Sequence, residues 1–102
     1  MWFITAVEKM EPYPESKYFT NTGKTRCWGF YFDKEDAVHV VRENVADIQE
    51  YFYDYAVIEE YEEGISNYTG NRQWFKWNED RQGYFEISEP ENMEYICCFA
   101  LG

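Results

Sequence analysis

The chain contains no apolar run approaching the roughly 20 residues that a membrane-spanning helix requires. Its longest apolar stretches, such as 56–58 and 95–101, are far shorter, so the expectation is a soluble protein. Nor does Met1-Trp2-Phe3-Ile4 show the basic region or small-residue cleavage site of a secretory signal, which points to the cytoplasm. Cysteine is scarce and odd in number, with Cys27, Cys97 and Cys98 arguing against a disulfide framework. The adjacent pair lies in an apolar stretch and reads as small buried hydrophobes. Basic residues are few: nine Lys and Arg stand against twenty Asp and Glu, for a net charge of −11. Such a deficit argues against holding DNA or RNA by charge.

The machinery of catalysis is also thin. The single histidine, His39, has Glu43 one helical turn away, but no nucleophile can be placed beside it, and a solvated ion pair is the simpler reading. Cys27, Cys97, Cys98 and His39 are zinc-ligand types without CxxC or HxxxH spacing. The run Glu59 to Glu63 lacks the alternating ligands and central glycine of a calcium loop. The six glycines form neither a GxGxxG nor a P-loop. The expectation is therefore a non-enzyme with no catalytic residues, no metal and no cofactor.

What is abundant is aromatic surface: ten Tyr, eight Phe and four Trp in 102 residues. Such side chains supply large, rigid contact area at low entropic cost, which suits binding. The length predicts one domain over 1–102. A first strand is expected over Trp2 to Met10, apolar on both faces, followed by a mobile loop over 11–24 around Pro12 and Pro14. A second strand runs from Thr25 to Phe32 and stops at Asp33, whose side chain is positioned to cap a helix through the Asp36 N–H. Val38, Val41, Val45, Ile48 and Phe52 recur at steps of three and four, predicting one amphipathic helix of about five turns with Glu50 and Tyr53 on its polar side. Strands follow over Tyr55 to Tyr61, Arg72 to Trp77, Gly83 to Ile87 and Tyr95 to Leu101. The order β-β-α-β-β-β-β predicts an α+β fold, a mainly antiparallel sheet with the long helix across one face.

Two constellations invite function. Arg72, Trp74 and Lys76 alternate on one strand, and Lys24, Arg26 and Trp28 alternate in the same way on another. If these strands share a face, Trp28 and Trp74 could stack a base while Arg26, Arg72 and Lys76 hold phosphate. The plainer reading places both indoles in the core, with the cations reaching water or pairing with carboxylates. The second constellation is acidic: Asp47, Glu50 and Asp54 on the exposed helical side, then Glu59, Glu60, Glu62 and Glu63. Such a surface can occupy a partner's nucleic-acid groove, although it also simply confers solubility.

Four segments carry a resemblance: Gly29-Phe30-Tyr31-Phe32, Tyr55-Ala56-Val57-Ile58-Glu59-Glu60, Gly83-Tyr84-Phe85-Glu86-Ile87 with Glu89-Pro90-Glu91, and Phe99-Ala100-Leu101-Gly102. Through them the chain resembles short acidic proteins, mostly uncharacterised, encoded by phages and mobile elements of gut-dwelling Gram-positive bacteria. The resemblance transfers no functional residue; it implies a stoichiometric role against host defence. The leading expectation is a counter-defence protein that sequesters a nucleotide immune signal, a role that burial between subunits of a homo-oligomer would suit. Its alternative is an acidic, nucleic-acid-mimicking inhibitor of a host defence protein such as a CRISPR nuclease. An enzyme acting through His39 is a third.

Overall fold

A computed structural model describes residues 1–12, 20–65, 67–90 and 98–101. The main sheet is built from β1 (Trp2–Val7), β4 (Thr25–Tyr31), β5 (Tyr55–Tyr61), β6 (Tyr68–Asn78) and β7 (Gly83–Ile87), in the spatial order β4-β1-β5-β6-β7. Every neighbouring pair is antiparallel. Between β1 and β4 in sequence lie β2 (Glu11–Pro12) and β3 (Thr20–Asn21), which pair with each other. Thus the ends of the expected 11–24 loop form a ladder, extended by Lys9 N–H donating to the Thr22 carbonyl at 2.9 Å; residues 13–19 lie outside the described residues.

Apolar side chains fill both faces of β1, as its composition predicts. Ile4 and Ala6 join Ala56, Ile58 and Phe75 beneath the helix, while Val7 packs with Val57 and Trp74 on the opposite face. The helix α1 spans Lys34–Arg42. Asp33 caps it as expected, although Oδ1 accepts from the Glu35 N–H at 2.9 Å, one residue earlier than anticipated. Ala37 and Val41, one turn apart, are fully buried against the sheet. Among the described residues no helix is long and apolar enough to cross a membrane.

The five-turn helix is not formed. After Glu43 the chain turns left-handed at Asn44 (φ 49°, ψ 44°), and Ala46, Asp47, Glu50 and Tyr51 also have positive φ. Asn44 explains the break. Its Oδ1 accepts from the Gln49 N–H at 2.9 Å and its Nδ2 donates to Asp47 at 3.3 Å. These bonds offer the backbone a local alternative to the helical ladder, and asparagine tolerates the left-handed region better than most residues. The apolar periodicity therefore does not map onto one face. Val45 is 43% and Phe52 38% exposed, whereas Tyr53, expected on the polar side, is 6% exposed and in the core.

Other strands also differ from expectation, β1 ending at Val7 rather than Met10. β6 begins at Tyr68, four residues early, because Thr69 Oγ1 donates to Glu60 Oε1 at 2.9 Å and holds the segment to the end of β5. The described part of the expected last strand, Cys98–Leu101, lies in a turn, with Cys98 at φ 67°; residues 91–97 lie outside the described residues.

Ala46 has φ 58° at an exposed position, so its backbone strain can be relieved without disturbing packing. The Ala46→Gly variant should be more stable by about 1 kcal/mol in urea denaturation. A loss of similar size would instead indicate a right-handed helical residue there.

The core phenols give a second expectation. Burial lifts the Tyr84 hydroxyl well above the usual phenol range, with Asp54 and Asp47 adding to the effect, and does the same at Tyr61, where Glu59 adds to it. Tyr68 is raised to about 12, burial outweighing the lowering influence of Arg72. Raised phenol values contribute stability below the unfolded value of about 10, and that contribution is lost as pH climbs through the folded values. Unfolding should begin above about pH 10, with the tyrosinate absorbance of these groups rising as far-UV circular dichroism is lost. Titration of all ten tyrosines before any change in dichroism would contradict this.

Candidate functional site

The strand order separates the two cation–indole triplets. Cross-strand partners project to the same face, and Trp74 is in register with Val57, Val57 with Thr5, and Thr5 with Cys27. Arg72, Trp74 and Lys76 therefore project from the face opposite α1. Arg26 is in register with Ala6 on the helix side, where Trp28 also packs. The five residues expected to hold a nucleotide together do not share a face, and β1 and β5 lie between their strands.

Arg72 and Trp74 are engaged within the fold. Trp74 is 2% exposed and meets the Phe99 ring edge-on at 5.2 Å. Arg72 lies between two carboxylates: Nε donates to Glu89 at 2.6 Å, and Nη1 is 3.9 Å from Glu59. Glu59 has no solvent exposure. Its carboxylate accepts from the backbone N–H groups of Phe99 at 2.9 Å and Ala100 at 3.0 Å, and from the Tyr61 hydroxyl at 3.3 Å. A buried anion thus ties the C-terminal turn onto the sheet. Lys76 is exposed, its ammonium 5.6 Å from the Tyr55 ring centre.

The acidic constellation also divides. Glu59 belongs to the interior. Glu50 pairs with Arg26 at 2.8 Å, while Asp47 and Asp54 are exposed near the start of β5. Glu60, Glu62 and Glu63 lie at or beyond the other end of that strand, about 20 Å away. Hydrogen bonds from Asn71 and Thr69 hold the Glu60 carboxyl below the usual carboxylate range, so it stays ionised. His39 and Cys27 are exposed, and among the described residues no group of three His, Cys, Asp or Glu side chains could hold a metal ion.

Two features were not anticipated from the sequence. A bulge in β4, between the partners of Ile4 and Thr5, leaves Trp28 outside the register and reverses the alternation beyond it. Phe30 thereby moves to the helix-free face, its ring 5.2 Å from Phe3 and 5.6 Å from Phe32. Phe30 is 46% and Phe32 81% exposed, making an aromatic patch where β4 ends. Asp33 and Glu35 follow Phe32 in sequence, and Glu62 and Glu63 follow β5, which finishes at the same end of the sheet two strands away; Glu60, held by Thr69 and Asn71, projects from the helix side. Lys34, over the Trp2 ring, and the Met1 amino group, bonded to the Tyr61 carbonyl, are the cations nearby.

On the helix side, a half-open cleft of about 120 Å³ lies between β4 and the segment after α1. Trp28 and Tyr31 form one wall, Val40, Val45 and Ile48 the other. The Arg26 guanidinium stacks 4.1 Å from the Trp28 ring centre. The Trp28 indole N–H is buried and has no acceptor among the described residues.

No family model, curated protein or solved structure matches the chain. Function must accordingly be argued from the aromatic patch and the cleft themselves. The run Phe30-Tyr31-Phe32-Asp33 was visible in the sequence, but its exposure depends on the bulge.

The clamp can be tested directly. Glu59→Gln keeps the shape but turns an NH₂ toward a backbone N–H or the Arg72 guanidinium. It should cost about 2 kcal/mol in denaturant unfolding and remove hydrogen-exchange protection at Phe99 and Ala100. Unchanged protection would show that the carboxylate does not hold the turn.

Proposed function

We propose that this is a non-enzymatic binding protein of counter-defence type, acting by occupying a basic protein surface through the aromatic end of its sheet. The observation that carries the reading is the contiguous, exposed ring pair of Phe30 and Phe32, at the same end of the sheet as the exposed carboxylates of Asp33, Glu35, Glu62 and Glu63. Exposed apolar patches bordered by polar groups mark association surfaces, and aromatic residues supply most of the energy at such centres. The carboxylates specify the partner. Asp33, Glu35, Glu62 and Glu63 complement a cationic groove of the kind that holds nucleic acid in a defence nuclease.

Nucleotide sequestration is the second reading, favoured by the guanidinium stacked on Trp28 beside an apolar cleft. It is confined to the helix side, because Trp74 is buried on the other face and cannot stack a base.

The protein-binding reading is tested against purified RNA-guided nucleases, with and without guide RNA. Binding should favour the RNA-free form and weaken as salt rises. The Phe30→Ser/Phe32→Ser double variant should lose at least about tenfold in affinity, equivalent to about 1.4 kcal/mol. Glu62→Lys/Glu63→Lys should weaken binding, whereas Asp47→Lys at the far end should not. Equal affinity for all variants would remove the aromatic end as the interface.

A further inference from the structure

We infer that the cleft beside Trp28 is a binding site for one planar ring carrying a single anionic group, a nucleoside monophosphate being the form that nucleotide sequestration would require. The inference rests on that second reading but narrows it to a ligand class.

Shape sets the ring count. Ligand pockets commonly enclose about 300–1,000 Å³, and at about 120 Å³ this one has room for a single ring system. Its lining is mainly apolar, with the planar indole on the sheet side and the Val40, Val45 and Ile48 side chains on the other. Gly29 lines the same cleft, and no atom lies within 4 Å of the point a side-chain carbon would occupy there, so the backbone is open to an incoming ring. The Asn44 side chain fixes the opposite wall, accepting from the Gln49 N–H and donating to Asp47, before any ligand arrives. A wall held in this way is a preorganised surface, which reduces the ordering cost of binding.

Charge sets the anion count. Arg26 lies against Trp28 with its side chain 52% exposed, so it can reach an anion outside the cleft. Its partner in the structure is Glu50, through a single Nη1–Oε1 contact at 2.8 Å, and an incoming phosphate or carboxylate could take that place and engage both arms of the guanidinium. Lys24, just before β4, has its ammonium 5.4 Å from the Phe52 ring centre. Against a net charge of −11, further negative groups on the ligand would meet repulsion that these cations cannot offset.

The test is calorimetric titration with a nucleoside monophosphate, indole-3-acetate and a cyclic dinucleotide. Two variants accompany it: Val45→Phe, which fills the cleft from an exposed position, and Arg26→Ala, with circular dichroism confirming the fold of each. One-to-one binding of the monophosphate, abolished by Val45→Phe and weakened about tenfold by Arg26→Ala, is the expected result. The same dependence with indole-3-acetate alone would uphold the ring-and-anion class but reject the nucleotide. Binding of the dinucleotide alone would overturn the single-ring inference while leaving nucleotide sequestration standing. No binding of any probe at about 1 mM, or binding indifferent to Val45→Phe, would overturn the site.

Discussion

A carboxylate without solvent exposure, Glu59, sits on the central strand of the sheet, and the helix-free face is organised around it. An ionised group taken out of water is costly unless hydrogen bonds and an opposite charge replace its hydration. Here two backbone N–H groups, a phenol and a guanidinium supply them. Because those N–H groups belong to the C-terminal turn, satisfying the charge also covers the sheet. The Phe99 ring lands on Trp74, and Glu89 completes the shell around Arg72. Two members of what looks in sequence like a ligand-binding triplet, Arg72 and Trp74, thus line an ion cluster within the fold, while Lys76 stays exposed.

The cations elsewhere follow a related pattern. Lys24, Arg26, Lys34, Lys76 and Arg81 each sit over an aromatic ring. A ring face attracts a cation through its quadrupole, and the long stem packs on the ring while the charged head remains near water. Many carboxylates, Glu62 and Glu63 among them, are left at the surface. The aromatic and acidic characters of the chain are therefore linked.

Much of the fold was legible because strand periodicity is local. The expected bounds of β5 and β7 match those observed, and Asp33 announces the start of α1. The helix end was not legible, since Val45, Ile48 and Phe52 keep a helical spacing that only the side-chain bonds of Asn44 overrule. The site was less legible still. Which strands are neighbours is a long-range property, so whether Trp28 and Trp74 share a face could not be read from their spacing. The bulge at Trp28 compounds this, because an extra residue inverts every side chain beyond it. The burial of Glu59 had no local signal either: it stands in a run of carboxylates whose other members face water.

That bulge has a further consequence at the edge of the sheet. β4 is an edge strand carrying exposed Phe30 and Tyr31, a combination that ordinarily templates pairing with a second sheet and growth into fibrils. The unpaired residue and the glycine beside it, at φ 143°, interrupt the regular spacing of the backbone donors and acceptors along that edge. A flat strand from another molecule could match only a short part of it. The irregularity that turns the aromatic residues outward thereby also guards the edge against aggregation.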